Sequence, residues 1–149
     1  MMKMSAKSKS AILVGMQTVC ILTLLVKITA LHSDLWAIIV SFIGILLGFW
    51  AILIMKLDNV NVTPDVKANA RLVMSGPYKV IRHPMYSAVL LTFFPFVLDR
   101  PSTFLVIVFM TLLTTLVIKL NYEEQLLCNH FKEYAVYSKH TWRLIPFIY

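Results

Sequence analysis

The feature that most constrains this chain is the run from Leu35 to Met55, "LWAIIVSFIGILLGFWAILIM", in which none of the 21 residues is charged. A helix needs about 20 predominantly apolar residues to cross the hydrocarbon core of a bilayer. A surface helix of a soluble protein also presents a polar face to water, and this run offers only Ser41 for one. The run therefore predicts a membrane-spanning helix.

Three further apolar segments accompany this run. Residues 11–30 contain one charge, Lys27, residues 103–118 contain none, and residues 85–98 form a shorter uncharged run. The chain is 59% hydrophobic and 14% charged, which is more apolar than a soluble chain of 149 residues can bury. The short run could be a tilted helix, a helix buried among the others or a re-entrant segment. We predict an all-α integral membrane bundle of about four transmembrane helices, at about 10–31, 35–55, 84–98 and 103–122.

The distribution of basic residues predicts the orientation of the bundle. The net charge is +7, and Lys and Arg concentrate before the first helix, in the segment 56–83 and after the fourth helix. The loops on the other side of the membrane hold only Arg100. The positive-inside rule therefore places both termini and the segment 56–83 in the cytoplasm, at a plasma or inner membrane. A nucleic-acid partner is not expected, because the positive charge does not form one face.

Two segments are expected to fold at the cytosolic end of a single domain, 1–149. The segment 56–83 is longer than a usual helix connection, and its apolar content favours a folded segment over disorder. After the fourth helix, Leu127, Phe131 and Tyr134 recur at the i, i+4 and i+7 positions of a helix. This spacing predicts a cytosolic amphipathic continuation to about Ser138.

Small and sulfur-bearing residues complete the structural predictions. Gly44 and Gly48 put two small residues on one helix face, where another helix can approach closely. That face could serve the fold or a dimer, so the oligomeric state stays open.

Cys20 and Cys128 fall in a span and in the cytosol, so we expect no disulfide. No dense cluster of His and Cys indicates a metal site.

The stretch "YKVIRHPMY" before the third helix is the first candidate for chemistry. Pro84 is favoured in a first helical turn, so free backbone N–H groups and the positive end of a helix dipole lie beside Arg82 and His83. Such a group suits a carboxylate or a phosphate. Tyr78 and Tyr86 offer ring faces for a planar group or a cation. Alternatively, Arg82 reaches lipid headgroups and the tyrosines belong to an interfacial belt.

The stretch "KLNYEEQLL" near the end of the fourth helix is the second candidate. Glu123 and Glu124 are costly at a membrane helix end unless they are solvated or paired. Lys119 could simply pair with Glu123 at i, i+4, or one carboxylate could bind a cationic ligand group while the other orients it. A hairpin of the third and fourth helices would bring both stretches together. The combined groups suit a zwitterionic, aromatic ligand such as S-adenosylmethionine.

A family resemblance adds to this interpretation. "GPYKVIRHPMYSA" resembles the Gly-Pro-Tyr…Arg-His-Pro-x-Tyr-x-Gly motif of the isoprenylcysteine carboxyl methyltransferase and phospholipid methyltransferase superfamily. "EEQLLCNHFKEYAVYSKHTWRLIP" is similar to the Glu-Glu-x-x-Leu…Phe-Gly-x-x-Tyr-x-x-Tyr…Arg-x-x-Pro ending of that superfamily. Both blocks occur in order within roughly 56–149. The chain departs from the pattern at Ala88 and Lys132, where the family usually has glycine.

The resemblance implies an integral membrane methyltransferase that uses S-adenosylmethionine at the cytosolic ends of its last helices. The acceptor would be a prenylcysteine-type carboxylate, a phospholipid amine or a thiol, and the residues do not decide among them. His83 or Glu124 would take a proton from an amine or thiol, whereas Lys119 or Arg143 would orient a carboxylate. The cofactor pocket would be lined by Tyr78, Arg82, His83, Pro84, Tyr86, Glu123 and Glu124.

Two rival functions share parts of this pattern. Membrane reductases of the sterol reductase type resemble the same superfamily in their C-terminal half and use NADPH. A small four-helix transporter or assembly protein would also fit the length, but it would be expected to hold an ionisable residue deep within a span. Lys27, the deepest one here, lies near the end of its segment. The absence of a Gly-x-Gly-x-x-Gly motif excludes a soluble Rossmann-type methyltransferase.

Overall fold

The computed structural model describes residues 6–29, 33–56, 59 and 71–149. Most of the segment predicted to fold at 56–83 therefore lies outside the described residues. No strand occurs in the described ranges, and the prediction of an all-α membrane bundle is confirmed. A 3₁₀ turn at Gly76–Lys79 precedes the third helix. The helices are α1 (Ala6–Thr29), α2 (Leu35–Met55), α3 (Pro84–Asp99), α4 (Thr103–His130) and α5 (Tyr134–Lys139).

Three of these helices are long and apolar enough to cross a membrane. They are Ser8–Ile28 within α1, all of α2, and α4. Helix α1 begins at Ala6 rather than near residue 10. Helix α3 has 16 residues, which correspond to about 24 Å of helix, against about 30 Å of hydrocarbon core. A fourth complete span therefore stays a prediction.

The outward faces of the long helices are apolar. Val19, Phe42 and Ile107 are 64%, 58% and 60% exposed, and each lies on a different helix. So much apolar surface is unfavourable in water, whereas lipid tails cover it at no cost. The core between the helices contains fully buried leucines, among them Leu24 and Leu116.

Helices α2 and α3 form the closest seam of the bundle. A Cβ atom added at Gly44 would lie 2.7 Å from the backbone nitrogen of Thr92, closer than any real side chain could approach. A Cβ atom at Gly48 would lie 3.3 Å from the Cβ atom of Ala88. The predicted glycine face is therefore packed within the chain, against α3. Ala88, the departure from the family glycine, is accommodated because it faces a glycine on the neighbouring helix.

Helix α4 ends earlier than the predicted amphipathic continuation. It runs past Lys119 to His130, and Phe131 then takes an extended conformation with φ −115° and ψ 115°. The prediction of one continuous helix to about Ser138 is wrong at this break. The break lets α5 turn back and bury Tyr134 and Tyr137, and the Tyr137 hydroxyl donates to the Tyr78 carbonyl at 2.7 Å. Helix α5 is thereby docked beside the start of α3.

Candidate active site

The polar end of the bundle is assembled from three parts of the chain. The segment 141–144 returns alongside residues 80–83, and Ile81 and Trp142 form a parallel bridge. The backbone N–H of Arg82 donates to the Trp142 carbonyl at 2.7 Å, and that of His83 donates to the Arg143 carbonyl at 3.1 Å. Helix α4 passes beside both segments, so the two candidate stretches meet as the predicted hairpin requires.

Glu124 is the centre of this assembly. Its Oε1 accepts a hydrogen bond from Arg82 Nε at 2.7 Å, and its Oε2 lies 3.0 Å from Arg143 Nη2. His83 Nε2 lies 3.5 Å from Oε1. Glu124 and His83 are only 9% and 7% exposed. Because a buried carboxylate is stable only when it is well paired, two arginines on one glutamate satisfy this requirement.

Glu123 lies on the other side of the histidine. It accepts a hydrogen bond from the Tyr86 hydroxyl at 2.5 Å, and its Oε2 lies 3.6 Å from His83 Nδ1. The His83 ring stacks parallel to the Tyr86 ring, with centroids 5.4 Å apart. His83 therefore sits between two carboxylates with one ring nitrogen towards each. This arrangement is suited to accepting and passing on a proton.

Arg82 connects the helices with the returning segment. Besides its bond to Glu124, its Nη1 donates to the Ser138 carbonyl at 2.8 Å and to the Thr141 carbonyl. The side chain is 8% exposed. Its guanidinium therefore joins α4, α5 and the returning segment, and its reach towards lipid headgroups is not observed. Arg82 holds Glu124 in place rather than facing an open surface.

Lys119 lies on the membrane side of the same network. It is 3% exposed, its Nζ donates to the Gln17 side chain at 3.0 Å, and it lies 5.2 Å above the Tyr86 ring. A cation over a tyrosine face is attracted by the ring electrons. Gln17 comes from α1 and was missed by sequence reasoning. The available signal was a polar amide within an apolar helix.

Two further predicted residues, Pro84 and Tyr78, are buried at and before the start of α3 and do not line the open groove described below. Pro84 is buried in the first turn of α3, and Tyr78 is 4% exposed. The Tyr78 hydroxyl has no hydrogen-bond partner within the described ranges. Burial raises the pKa of Tyr78 well above its ordinary value and raises that of Tyr137 to about 12. Both tyrosines therefore keep their protons at physiological pH.

An open groove of about 740 Å³ borders this network, and Glu124 and Arg143 belong to both. The volume falls within the range of roughly 300–1,000 Å³ that is usual for small-molecule sites. Sequence reasoning missed the amides of Asn121, Gln125 and Asn129 that line the groove, although they recur every four residues of α4 and so share one face. The described residues contain no group of three His, Cys, Asp or Glu side chains that could hold a metal ion. The other lining residues are Asn121, Gln125, Cys128 and Asn129.

Comparison with known families decides the class of protein. Residues 32–134 match the family model described as phospholipid methyltransferase. The match spans more than two thirds of the chain and includes both candidate stretches. The chain belongs to this family. It is thus a membrane methyltransferase in general terms, and the resemblance deduced from its motifs is confirmed. No curated protein and no solved structure gave a match.

The family match does not cover every contact of the site. It contains His83, Lys119 and Glu124, but it begins after Gln17 and ends before Arg143. Gln17, whose amide accepts from Lys119, and Arg143, whose guanidinium contacts Glu124, therefore lie outside the matched region. Arg143 nevertheless belongs to the Arg-x-x-Pro ending that the sequence resembles, whereas Gln17 lies in neither of the resembling blocks.

Proposed function

We propose that this protein transfers a methyl group from S-adenosylmethionine to a membrane-partitioned acceptor at the polar ends of α3 and α4. The single observation that carries the proposal is the position of Glu124. One side of this carboxylate closes a buried network of charged groups, and the other side borders an open groove of about 740 Å³. A strongly polar site beside a membrane bundle is a functional feature by default.

The residues around the groove fit the proposed cofactor. S-adenosylmethionine carries an ammonium, a carboxylate, ribose hydroxyls and an adenine ring, and when bound it supplies an electrophilic methyl group on a sulfonium. Glu124 offers an anion for the ammonium, and Arg143, whose side chain is 34% exposed, offers a cation for the carboxylate. The amides of Asn121, Gln125 and Asn129 can donate to and accept from hydroxyl and ring groups.

The buried part of the network supplies positioning and proton transfer. Arg82 and the returning segment fix Glu124, and Tyr86 fixes Glu123. His83, between the two glutamates, is the proposed acceptor of a proton from an amine or a thiol. Tyr78 and Pro84 are buried, lie close to His83 in the sequence and are proposed to line the cofactor pocket with it. Because displacement at a sulfonium needs no covalent protein intermediate, alignment and exclusion of water are the main contributions of the protein.

The acceptor is proposed to reach the site from the bilayer. The family description favours a phospholipid amine, and a prenylcysteine-type carboxylate and a lipophilic thiol are the other classes to be tested. A carboxylate would need a cation to orient it, a role proposed for Lys119 or Arg143. The excess of Lys and Arg at this end supports a cytoplasmic site at a plasma or inner membrane.

Calorimetric titration of S-adenosylmethionine into the detergent-solubilised protein tests the proposal. We expect binding by the wild type and loss of binding in Glu124→Gln and His83→Ala. Arg100→Ala, at the opposite end of the bundle, is the matched control and should bind as the wild type does. The proposal fails if the folded wild type does not bind S-adenosylmethionine, and especially if NADPH, titrated in parallel, binds instead.

A second assay addresses the acceptor. The protein is reconstituted in vesicles with S-adenosylmethionine labelled in the methyl group. Phosphatidylethanolamine, a prenylcysteine and an alkyl thiol are supplied separately. Label is expected in the phosphatidylethanolamine fraction, and the Glu124→Gln variant should transfer none. Label in the prenylcysteine or the thiol fraction would show that the acceptor belongs to that class and is not a phospholipid amine.

A further inference from the structure

The residues Leu144–Tyr149 form a closed loop at the site end of the molecule. The backbone N–H groups of Leu144 and Ile145 both donate to the Tyr149 carbonyl, at 2.8 and 2.9 Å. Phe147 adopts φ +66°, a conformation that residues other than glycine rarely take. The turn leaves Phe147 and Ile148 82% and 78% exposed. Two adjacent large apolar side chains are thus presented at the tip of a hydrogen-bonded loop.

The level of this loop along the bundle can be measured on α4. Arg143, immediately before the loop, donates to the Asn121 side chain at 3.4 Å. The stretch from Thr103 to Asn121 rises about 27 Å at 1.5 Å per residue. The hydrocarbon core of a bilayer is about 30 Å thick. With the hydrocarbon core beginning at the start of α4, this rise places the loop where α4 enters the headgroup region on the other side.

We propose that the 144–149 loop is an interfacial membrane anchor, with Phe147 and Ile148 inserted at the headgroup boundary of the bilayer that α4 crosses. Its composition fits this position. The ring centroids of Trp142 and Phe147 are 4.6 Å apart, Arg143 immediately precedes the loop and Tyr149 is its last residue. Aromatic rings and arginine are favoured at this depth, where one end of a side chain is apolar and the other is wet. Exposed apolar side chains that are unfavourable in water are stabilised there.

The anchor is joined directly to the site. Arg143 donates to the Tyr149 hydroxyl at 2.8 Å, lies 5.2 Å from the Tyr149 ring and reaches Glu124. Insertion of the loop therefore holds Arg143 at the edge of the groove. This second part rests on the proposed function, because it assigns Arg143 to the bound cofactor. The insertion itself does not depend on that assignment.

Depth-dependent fluorescence quenching tests the insertion. The variant F147W is prepared with W36F, W50F and W142F, so that its indole is the only one, and is reconstituted in phosphatidylcholine vesicles with brominated acyl chains. We expect stronger quenching by bromines near the headgroups than by deep ones, and protection from aqueous iodide. The comparator I45W in the same background, at the middle of α2, should be quenched best by deep bromines. Quenching of the F147W indole by iodide alone would overturn the anchor.

A second measurement guards against misfolding of the reporter. The variant W36F/W50F keeps the native loop with Trp142 as its only tryptophan, and its shallow quenching should fall when Phe147 and Ile148 are both changed to serine. Unchanged quenching would contradict the proposal. The control V136S replaces an exposed apolar residue of α5 (62% exposed) and should have no effect.

The coupling to the site is tested by titration in vesicles. The F147S/I148S variant should bind S-adenosylmethionine several-fold more weakly than the wild type, whereas V136S should not. Equal affinity of the double variant and the wild type would overturn the link to Arg143. If the wild type binds no S-adenosylmethionine, the proposed function fails, and the quenching result still decides whether the loop is an anchor.

Discussion

The two ends of the bundle both carry ion pairs, but the pairs differ in depth and geometry. At the site end, Arg82 and Glu124 are 2.7 Å apart, with side chains 8% and 12% exposed. At the opposite end, Arg100 and Asp34 are 3.8 Å apart, with side chains 52% and 66% exposed. Water and salt screen the second pair, so it contributes little. The first pair lies in a poorly solvated interior, where each partner depends on the other.

The difference in burial supports the proposed position of the active site. At the opposite end, the Asp34 N–H donates to the Asp99 carboxylate at 3.1 Å, which joins the start of α2 to the end of α3. The Asp99 side chain is itself only 4% exposed, but its carboxylate accepts from a backbone N–H and lies 3.7 Å from an arginine that is 52% exposed. At the site end, residues from the segment just before α3 and from the returning segment are brought together around one carboxylate of α4. Because desolvating these charges is costly, their burial beside an open groove supports the functional role proposed for them.

Among these substitutions, Arg82→Ala should lower the free energy of unfolding the most. Arg82→Ala leaves Glu124 without its closest partner and the carbonyls of Ser138 and Thr141 without their donor. Breaking a buried pair in this way typically costs about 3–5 kcal/mol. The free energy of unfolding, measured by detergent-denaturant titration in mixed micelles, should fall by this amount. A loss below about 1 kcal/mol would mean that the site end is as weakly coupled as the opposite end.

The seam between α2 and α3 is the next test, because it holds the helix that carries Tyr86. In Gly44→Ala the added Cβ atom would meet the backbone of Thr92 at 2.7 Å, so the helices must separate. Overpacking of this kind typically costs about 1–3 kcal/mol. Gly15→Ala is the matched control, since nothing lies within 4 Å of the added atom there. A control that is destabilised as much as Gly44→Ala would show that the seam has no special role.

The sequence was sufficient for the helices and for the meeting of the two candidate stretches. Uncharged runs of bilayer length predict the long helices. Because a short turn connects α3 and α4, the start of α3 must lie close to the far part of α4. These predictions depend on local periodicity and chain connectivity, which a single sequence contains.

The contacts from distant segments could not be predicted in the same way. Arg143 reaches Glu124 only because α4 breaks at Phe131 and the chain returns along residues 80–83. The break contradicts a good amphipathic pattern, because burial of Tyr134 and Tyr137 on α5 overrides the local preference. The contact between Gln17 and Lys119 depends on how α1 packs on α4, which no spacing within either helix reveals.

Tyr137→Phe is expected to have a smaller effect than either change above. It removes one buried hydrogen bond, from the Tyr137 hydroxyl to the Tyr78 carbonyl, and should cost about 1 kcal/mol. Burial raises the pKa of Tyr137 to about 12, whereas an unfolded tyrosine ionises near pH 10. The stabilisation is therefore complete below about pH 10 and is lost as the pH rises towards 12. The difference between wild type and Tyr137→Phe should narrow over that interval, and a constant difference up to pH 12 would contradict this assignment.

Arg100→Ala, at the opposite end, should have the smallest effect. Its contacts with Asp34 and Asp99 are long, at 3.8 and 3.7 Å, and the arginine side chain is 52% exposed, although that of Asp99 is 4% exposed. Because the Asp99 carboxylate also accepts from the Asp34 N–H, removal of a distant and half-exposed arginine should cost at most about 1 kcal/mol, and less at high salt. The free energy of unfolding should thus change by less than about 1 kcal/mol, and the change should shrink further when salt is raised. If Arg100→Ala instead lowered the free energy of unfolding as much as Arg82→Ala, independently of salt, the ion pairs at the two ends would be equally important. The argument that the site end differs from the opposite end would then fail.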